Sequence, residues 1–180
     1  MLKSKTNNAI NQIERGANWL AKTNIFLYSI ILVPIFFAVK GSIALFKDIL
    51  KIPDIEFQER PINENFNVTI DLIFDTLILA PIVETLLFQA LFFSIFKKFK
   101  MKRWIIVLIS GIAFGTIHNY SLFYMIGTVP IGFIFMYMYI LRAEMDNKPF
   151  ASTMIAHSTI NLIVIIITLI THFYKFGTWF

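Results

Sequence analysis

Leu77 to Phe93 reads LILAPIVETLLFQALFF, a long apolar run with a single acid, Glu84, near its middle. A carboxylate at the centre of a bilayer costs about 2.5–3.5 kcal/mol on insertion scales, so such residues are rare there and functional by default. Of the 11 Asp and Glu residues in the chain, Glu84 alone lies deep in an apolar run. The others fall in polar connections or near the ends of runs. Working outward from Glu84, the question is which other side chains the fold supplies to it.

Composition sets the class. Hydrophobic residues make up 57% of the 180 and charged residues only 15%. Soluble domains average about 45–50% and about 25%. The difference indicates an integral membrane protein of several spans with short loops, all-α, forming one domain over residues 1–180. The net charge of +5 is then read as cytoplasmic loop charge. A nucleic-acid surface needs a basic stripe interleaved with exposed aromatics; none is found, and no nucleic-acid partner is expected. The absence of Cys excludes disulfides and thiolate metal sites. Residues 1–23 are polar and mixed in charge, unlike a cleavable signal peptide.

In chain order, Ile10, Ile13, Ala17 and Leu20 recur at helical spacing with Trp19 beside them. This predicts an interfacial amphipathic helix over 1–23, with Trp19 at headgroup level. The first span is expected over 25–39, extending towards Phe46, with a kink at Pro34. Residues 47–67, with Pro53 and Pro61, read as a loop holding a short helix or turn. The second span, 68–96, carries Glu84, with Asp71 and Asp75 at its watery end and Pro81 opening the helix locally. A basic turn follows at 97–103. The third span runs from Trp104 to about His118, where Gly111 and Gly115 give small-xxx-small spacing for close packing. The fourth covers 122–141 and the fifth 150–173, with His172 at an interface. Residues 68–173 form the motif-bearing core. The segments 1–23, 97–103 and 142–149 hold most of the 16 Lys and Arg. By the positive-inside rule this predicts five spans in a bacterial cytoplasmic membrane, N-terminus inside and C-terminus outside.

Few polar groups remain inside the spans: Glu84 and Gln89 on the second, His118 and Asn119 at the end of the third, His157 and Asn161 on the fifth. Polar groups in membrane helices face the bundle interior or a wet cavity. His157 and Asn161 are four residues apart, hence on one helix face. Glu84 can take a proton from water, a neighbouring His can hold that water, and a second His with an amide can donate to an oxyanion. That set suffices for hydrolysis of a peptide bond by activated water. Counted from the inner loops, His118 lies about 21 Å deep and His157 about 10 Å, so their meeting requires a shifted boundary or a tilted helix.

The same residues resemble a family. Ala80-Pro81-Ile82-Val83-Glu84-Thr85-Leu86-Leu87-Phe88-Gln89-Ala90 is similar to the first motif, EExxxR, of the CPBP (Abi, type II CAAX prenyl endopeptidase) intramembrane proteases. Phe114-Gly115-Thr116-Ile117-His118 is similar to the second, FxxxH, and His157-Ser158-Thr159-Ile160-Asn161 to the third, HxxxN. The resemblance implies that Glu84 activates the water, that His118 shares it, and that His157 and Asn161 stabilise the oxyanion. Thr85, Gln89 and Phe114 fall at supporting positions. Thr85 stands where the family has its second glutamate and Gln89 where it has its arginine.

The expected function is therefore a glutamate-dependent intramembrane endopeptidase acting on a peptide or protein substrate, lipidated or plain. No cofactor is expected. Two His and a Glu can bind zinc, but the set lacks HExxH-type spacing, and the resemblance implies glutamate rather than metal dependence. Thr85 and Gln89 motivate the alternative: a non-catalytic scaffold or immunity-type protein of the same fold that binds a peptide or protein. A transporter would show charges on more spans and an internal repeat, and none is seen.

Overall fold

Asn24, Thr69 and Ser121 each end one segment and start the next. Asn24 Oδ1 accepts from Leu27 N–H at 2.9 Å, Thr69 Oγ1 from Leu72 N–H at 3.1 Å and Ser121 Oγ from Tyr124 N–H at 3.0 Å. These side chains satisfy donors that a helix leaves open at its first turn. The computed structural model describes residues 2–52 and 69–176, and side chains over 11–52 and 69–174. Within those residues the chain is helical: α1 (Leu2–Lys22), α2 (Ile25–Ile49), α3 (Ile70–Lys98), α4 (Arg103–Ile117), α5 (Leu122–Glu144) and α6 (Pro149–Phe176). The expected loop over 47–67 falls mostly outside the described residues. Its first residues continue α2 through Lys47 and Asp48.

Four of these helices, α2, α3, α5 and α6, are long and apolar enough to cross a membrane. The expected third span is α4, and it has 15 residues. At about 1.5 Å per residue it measures about 22 Å, against about 30 Å of hydrocarbon. The bundle thus holds four full-length helices and one short apolar helix among the described residues. The sequence placed the last four within a few residues, the 15-residue third included, whereas the first, expected over 25–39 and extending towards Phe46, runs to Ile49.

The polarity of α3 is inverted relative to a water-soluble helix. Ile78, Ile82 and Leu86 are exposed, whereas Thr85 and Gln89 are buried at 0% and 1% exposure. Apolar side chains face outward to lipid and polar ones inward, which makes this an integral membrane protein. α5 is the central helix: 56% of its apolar stretch is buried within the protein, against 17–22% for the other three long helices. Its tightest neighbour is α4. Gly111 and Gly115 permit that approach, as their spacing predicts. A Cβ on Gly132 of α5 would stand 2.8 Å from Gly111 Cα. α2 packs mainly on α6.

At one end of the bundle Arg142 is fully buried. Its Nε donates to Asn147 O at 2.9 Å and an Nη to Thr23 O at 3.2 Å. Its guanidinium carbon lies 4.7 Å from the centre of the Tyr28 ring. Asn147 Nδ2 donates to Ala21 O at 2.9 Å. These bonds fill carbonyls that α1 leaves open at its C-terminus and fix α1 to the α5–α6 turn. α1 accordingly buries Leu20 and Ala21, while Ile13 and Trp19 remain exposed. His172, near the end of α6, is buried among the helices at 1% exposure. Asp71 and Asp75 are exposed.

Candidate active site

Glu84 lies between two π-helical stretches of α3, Asp75–Leu79 and Thr85–Leu91. The first has a local cause and a consequence. Ala80 N–H reaches back to Asp75 O, and Pro81 has no N–H to give. Thr76 O is filled from another helix, by Asn161 Nδ2 of α6 at 2.8 Å. The second stretch is tied to α4, where Ser110 Oγ–H donates to Phe88 O. Two side chains from neighbouring helices therefore hold the segment that carries the acid.

Three of the expected residues meet. Glu84 Oε2 is 3.7 Å from His118 Nε2 and 3.8 Å from His157 Nε2. They meet although the counts along their helices differ, about 22 Å to His118 and about 12 Å to His157. His118 closes α4 at its C-terminus, and its Nδ1 is 2.7 Å from Phe114 O. A carbonyl can only accept, so Nδ1 carries the proton, and in the neutral ring Nε2 turns a lone pair towards Glu84. Phe114 packs between the imidazoles, 4.7 Å from the His118 ring and 5.9 Å from that of His157. Phe135 covers His157 from α5 at 5.2 Å.

Glu84 Oε2 is buried and accepts no hydrogen bond from the described residues. Its distances to the imidazole nitrogens exceed a direct hydrogen bond of about 2.7–3.2 Å and suit a bridge through one small molecule such as water. His118, His157 and Asn161 face a cavity of about 70 Å³, large enough to admit water. Asn161, expected as an oxyanion donor, has one amide hydrogen committed to Thr76 O and one left. Thr85 and Gln89 lie on the buried face of α3, but Thr85 Oγ1 and Gln89 Nε2 have no hydrogen-bond partner among the described residues, so neither supports Glu84 by a direct bond. Among the described residues no group of three or more His, Cys, Asp or Glu side chains stands in a metal-holding arrangement.

Sequence reasoning missed Lys40 and Tyr124, which also line the cavity. The available signal was a lysine inside the apolar run that forms α2. It also missed Ser110 and the Thr76 carbonyl, whose roles depend on the local winding of α3.

No curated protein and no solved structure matches the chain. A family model, Rce1-like type II CAAX prenyl endopeptidase, matches residues 66–163. That span is more than half of the chain and includes Glu84, both imidazoles facing it and Asn161. The chain belongs to the Rce1-like family of type II CAAX prenyl endopeptidases.

Proposed function

We propose that this protein hydrolyses peptide bonds within the membrane, with Glu84 as the base that activates water. The observation that carries the reading is the convergence of His118 Nε2 and His157 Nε2 on one buried oxygen of Glu84, at 3.7 and 3.8 Å. A water held between the Glu84 carboxylate and the Nε2 lone pair of His118 donates a hydrogen bond to each. As its oxygen bonds to the peptide carbonyl carbon, Glu84 takes the proton. The oxygen that gains charge accepts hydrogen bonds from His157 and from the second amide hydrogen of Asn161. The carbon–nitrogen bond then breaks, and the proton on Glu84 passes to the leaving amine. The substrate is a peptide segment, prenylated or plain, reached from the lipid phase. The distribution of Lys and Arg supports a cytoplasmic N-terminus, here in a bacterial membrane.

The purified protein in detergent is tested on quenched fluorescent peptides, prenylated and plain, beside Glu84→Gln. The variant keeps the shape of the side chain and loses the base, and cleavage should fall by about 10²–10⁴-fold, the range for removing a general base. A non-catalytic scaffold on the same fold gives the opposite result, namely no difference between the two proteins. That outcome ends the hydrolytic reading.

A further inference from the structure

Three fully buried donors meet at the end of the bundle that α1 covers, and none has an acceptor. Arg142, Tyr28 and Thr153 are each 0% exposed. Arg142 gives Nε and one Nη to backbone carbonyls. Its other Nη has no hydrogen-bond partner among the described residues, and the same holds for the Tyr28 and Thr153 hydroxyls. The three side chains come from three helices. Tyr28 stands in the first turn of α2, Arg142 in the last turn of α5 and Thr153 near the start of α6. The guanidinium lies over the Tyr28 ring. The Thr153 hydroxyl stands beside that of Tyr28 without a formed hydrogen bond between them.

The charge at this point is uncompensated. Among the described residues no carboxylate pairs with Arg142. Glu144, on the same helix, is taken by Arg103 at 2.8 Å, and Asp146 is exposed in the turn that follows. α6 begins at Pro149, and the start of a helix carries a partial positive charge of about half a unit. Guanidinium and helix start thus make the field at the three donors positive. A buried charge is costly unless it is paired, and buried donors without acceptors mark a bound water or ion. Water accepts a hydrogen bond but brings no charge. We propose that Arg142 Nη, Tyr28 Oη and Thr153 Oγ1 bind a small monovalent anion, chloride in ordinary buffers. The donors select the sign of the ligand and the enclosure selects its size. A monatomic ion can be shut in behind α1, whereas a lipid phosphate with its glycerol cannot. The ion sits where α2, α5 and α6 meet, under the bonds that hold α1, and adds to the stability of that junction. It touches none of the residues facing Glu84, so the site stands whether or not the protein hydrolyses peptides.

The protein in detergent is unfolded by heat in sodium chloride and in sodium gluconate at equal ionic strength. Gluconate is too large for the enclosure. The midpoint should therefore rise with chloride along a saturating curve and stay flat in gluconate. Thr153→Val and Tyr28→Phe keep the shape of each side chain, and with it the ring under the guanidinium, while each removes one hydroxyl. Each should raise the chloride concentration at half of the shift by about tenfold or more, as expected for losing a hydrogen bond to a charged group. Arg142→Gln should abolish the shift; where that variant does not fold, the two hydroxyl variants carry the test. Crystals grown in sodium bromide give a direct view, because anomalous scattering should show one peak bounded by Arg142, Tyr28 and Thr153. Equal midpoints in the two salts, or a chloride shift that both hydroxyl variants leave unchanged, overturns the proposal and leaves water as the occupant. A bromide map without a peak at those side chains overturns it as well. So does a shift produced by added phosphatidylglycerol and not by chloride, which assigns the donors to a lipid headgroup.

Discussion

Glu84 and Arg142 are both ionisable side chains enclosed in an apolar bundle, and their surroundings are opposite in kind. Arg142 has donors committed to the carbonyls of Asn147 and Thr23, and the Tyr28 ring covers its plane. Glu84 Oε2 accepts no hydrogen bond from the described residues and has two imidazole nitrogens just beyond bonding distance. Enclosure of a charge does not by itself separate structure from chemistry. The hydrogen-bond accounting does: Arg142 commits two of its three nitrogens to backbone carbonyls and fixes helices, with one Nη unpartnered among the described residues, whereas Glu84 Oε2 has acceptor capacity that faces two imidazoles and that a reacting molecule can use.

The contrast breaks or sharpens under four substitutions. Glu84→Gln should carry the largest effect, a fall in cleavage of about 10²–10⁴-fold, while the unfolding midpoint in detergent stays where it was. A large drop in that midpoint would place Glu84 with Arg142 as a structural residue. Arg142→Met should do the opposite. It removes the donors to the Asn147 and Thr23 carbonyls and should lower stability by about 1–3 kcal/mol for each buried acceptor left unsatisfied, read from denaturant unfolding. Full stability in that variant would mean that α1 is held by its apolar contacts alone. Asn161→Leu falls between the two poles. Losing its bond to Thr76 O should cost about 1–3 kcal/mol and also reduce cleavage, because the same amide is assigned to the oxyanion; if only one of the two readouts moves, its double role is wrong. The smallest effect belongs to the turn after α3, where Lys100 has a φ of 51°. A left-handed conformation costs a non-glycine residue about 1–2 kcal/mol, of which glycine returns part as chain entropy. Lys100→Gly should therefore raise the unfolding midpoint slightly and leave activity unchanged.

Much of this was legible in the sequence because it depends on residue type and spacing. Apolar runs bounded by Asn24, Ser121 and the basic turn after α3 yield the helices. Gly111 and Gly115 yield the close contact of α4 with α5. Glu84, His118 and His157 stand out because polar side chains are scarce in apolar runs. What stayed hidden depends on conformation or on pairs distant in sequence. Asn161 finds Thr76 O through the π-helical winding of α3, in which Ala80 N–H reaches Asp75 O and Pro81 supplies no donor. Arg142 counts as ordinary loop charge until α1 folds back over it. The departures at Thr85 and Gln89 were visible at once, but the burial of Thr85 Oγ1 and Gln89 Nε2 without a hydrogen-bond partner among the described residues was not.

The brevity of α4 has a consequence for the surrounding lipid. A rod of 15 residues falls about 8 Å short of an average hydrocarbon slab. On that flank acyl chains must shorten or splay, at fractions of a kcal/mol per ångström of mismatch. His118 caps the truncated end, the end at which a thinned bilayer would bring headgroups and water nearest to the imidazole.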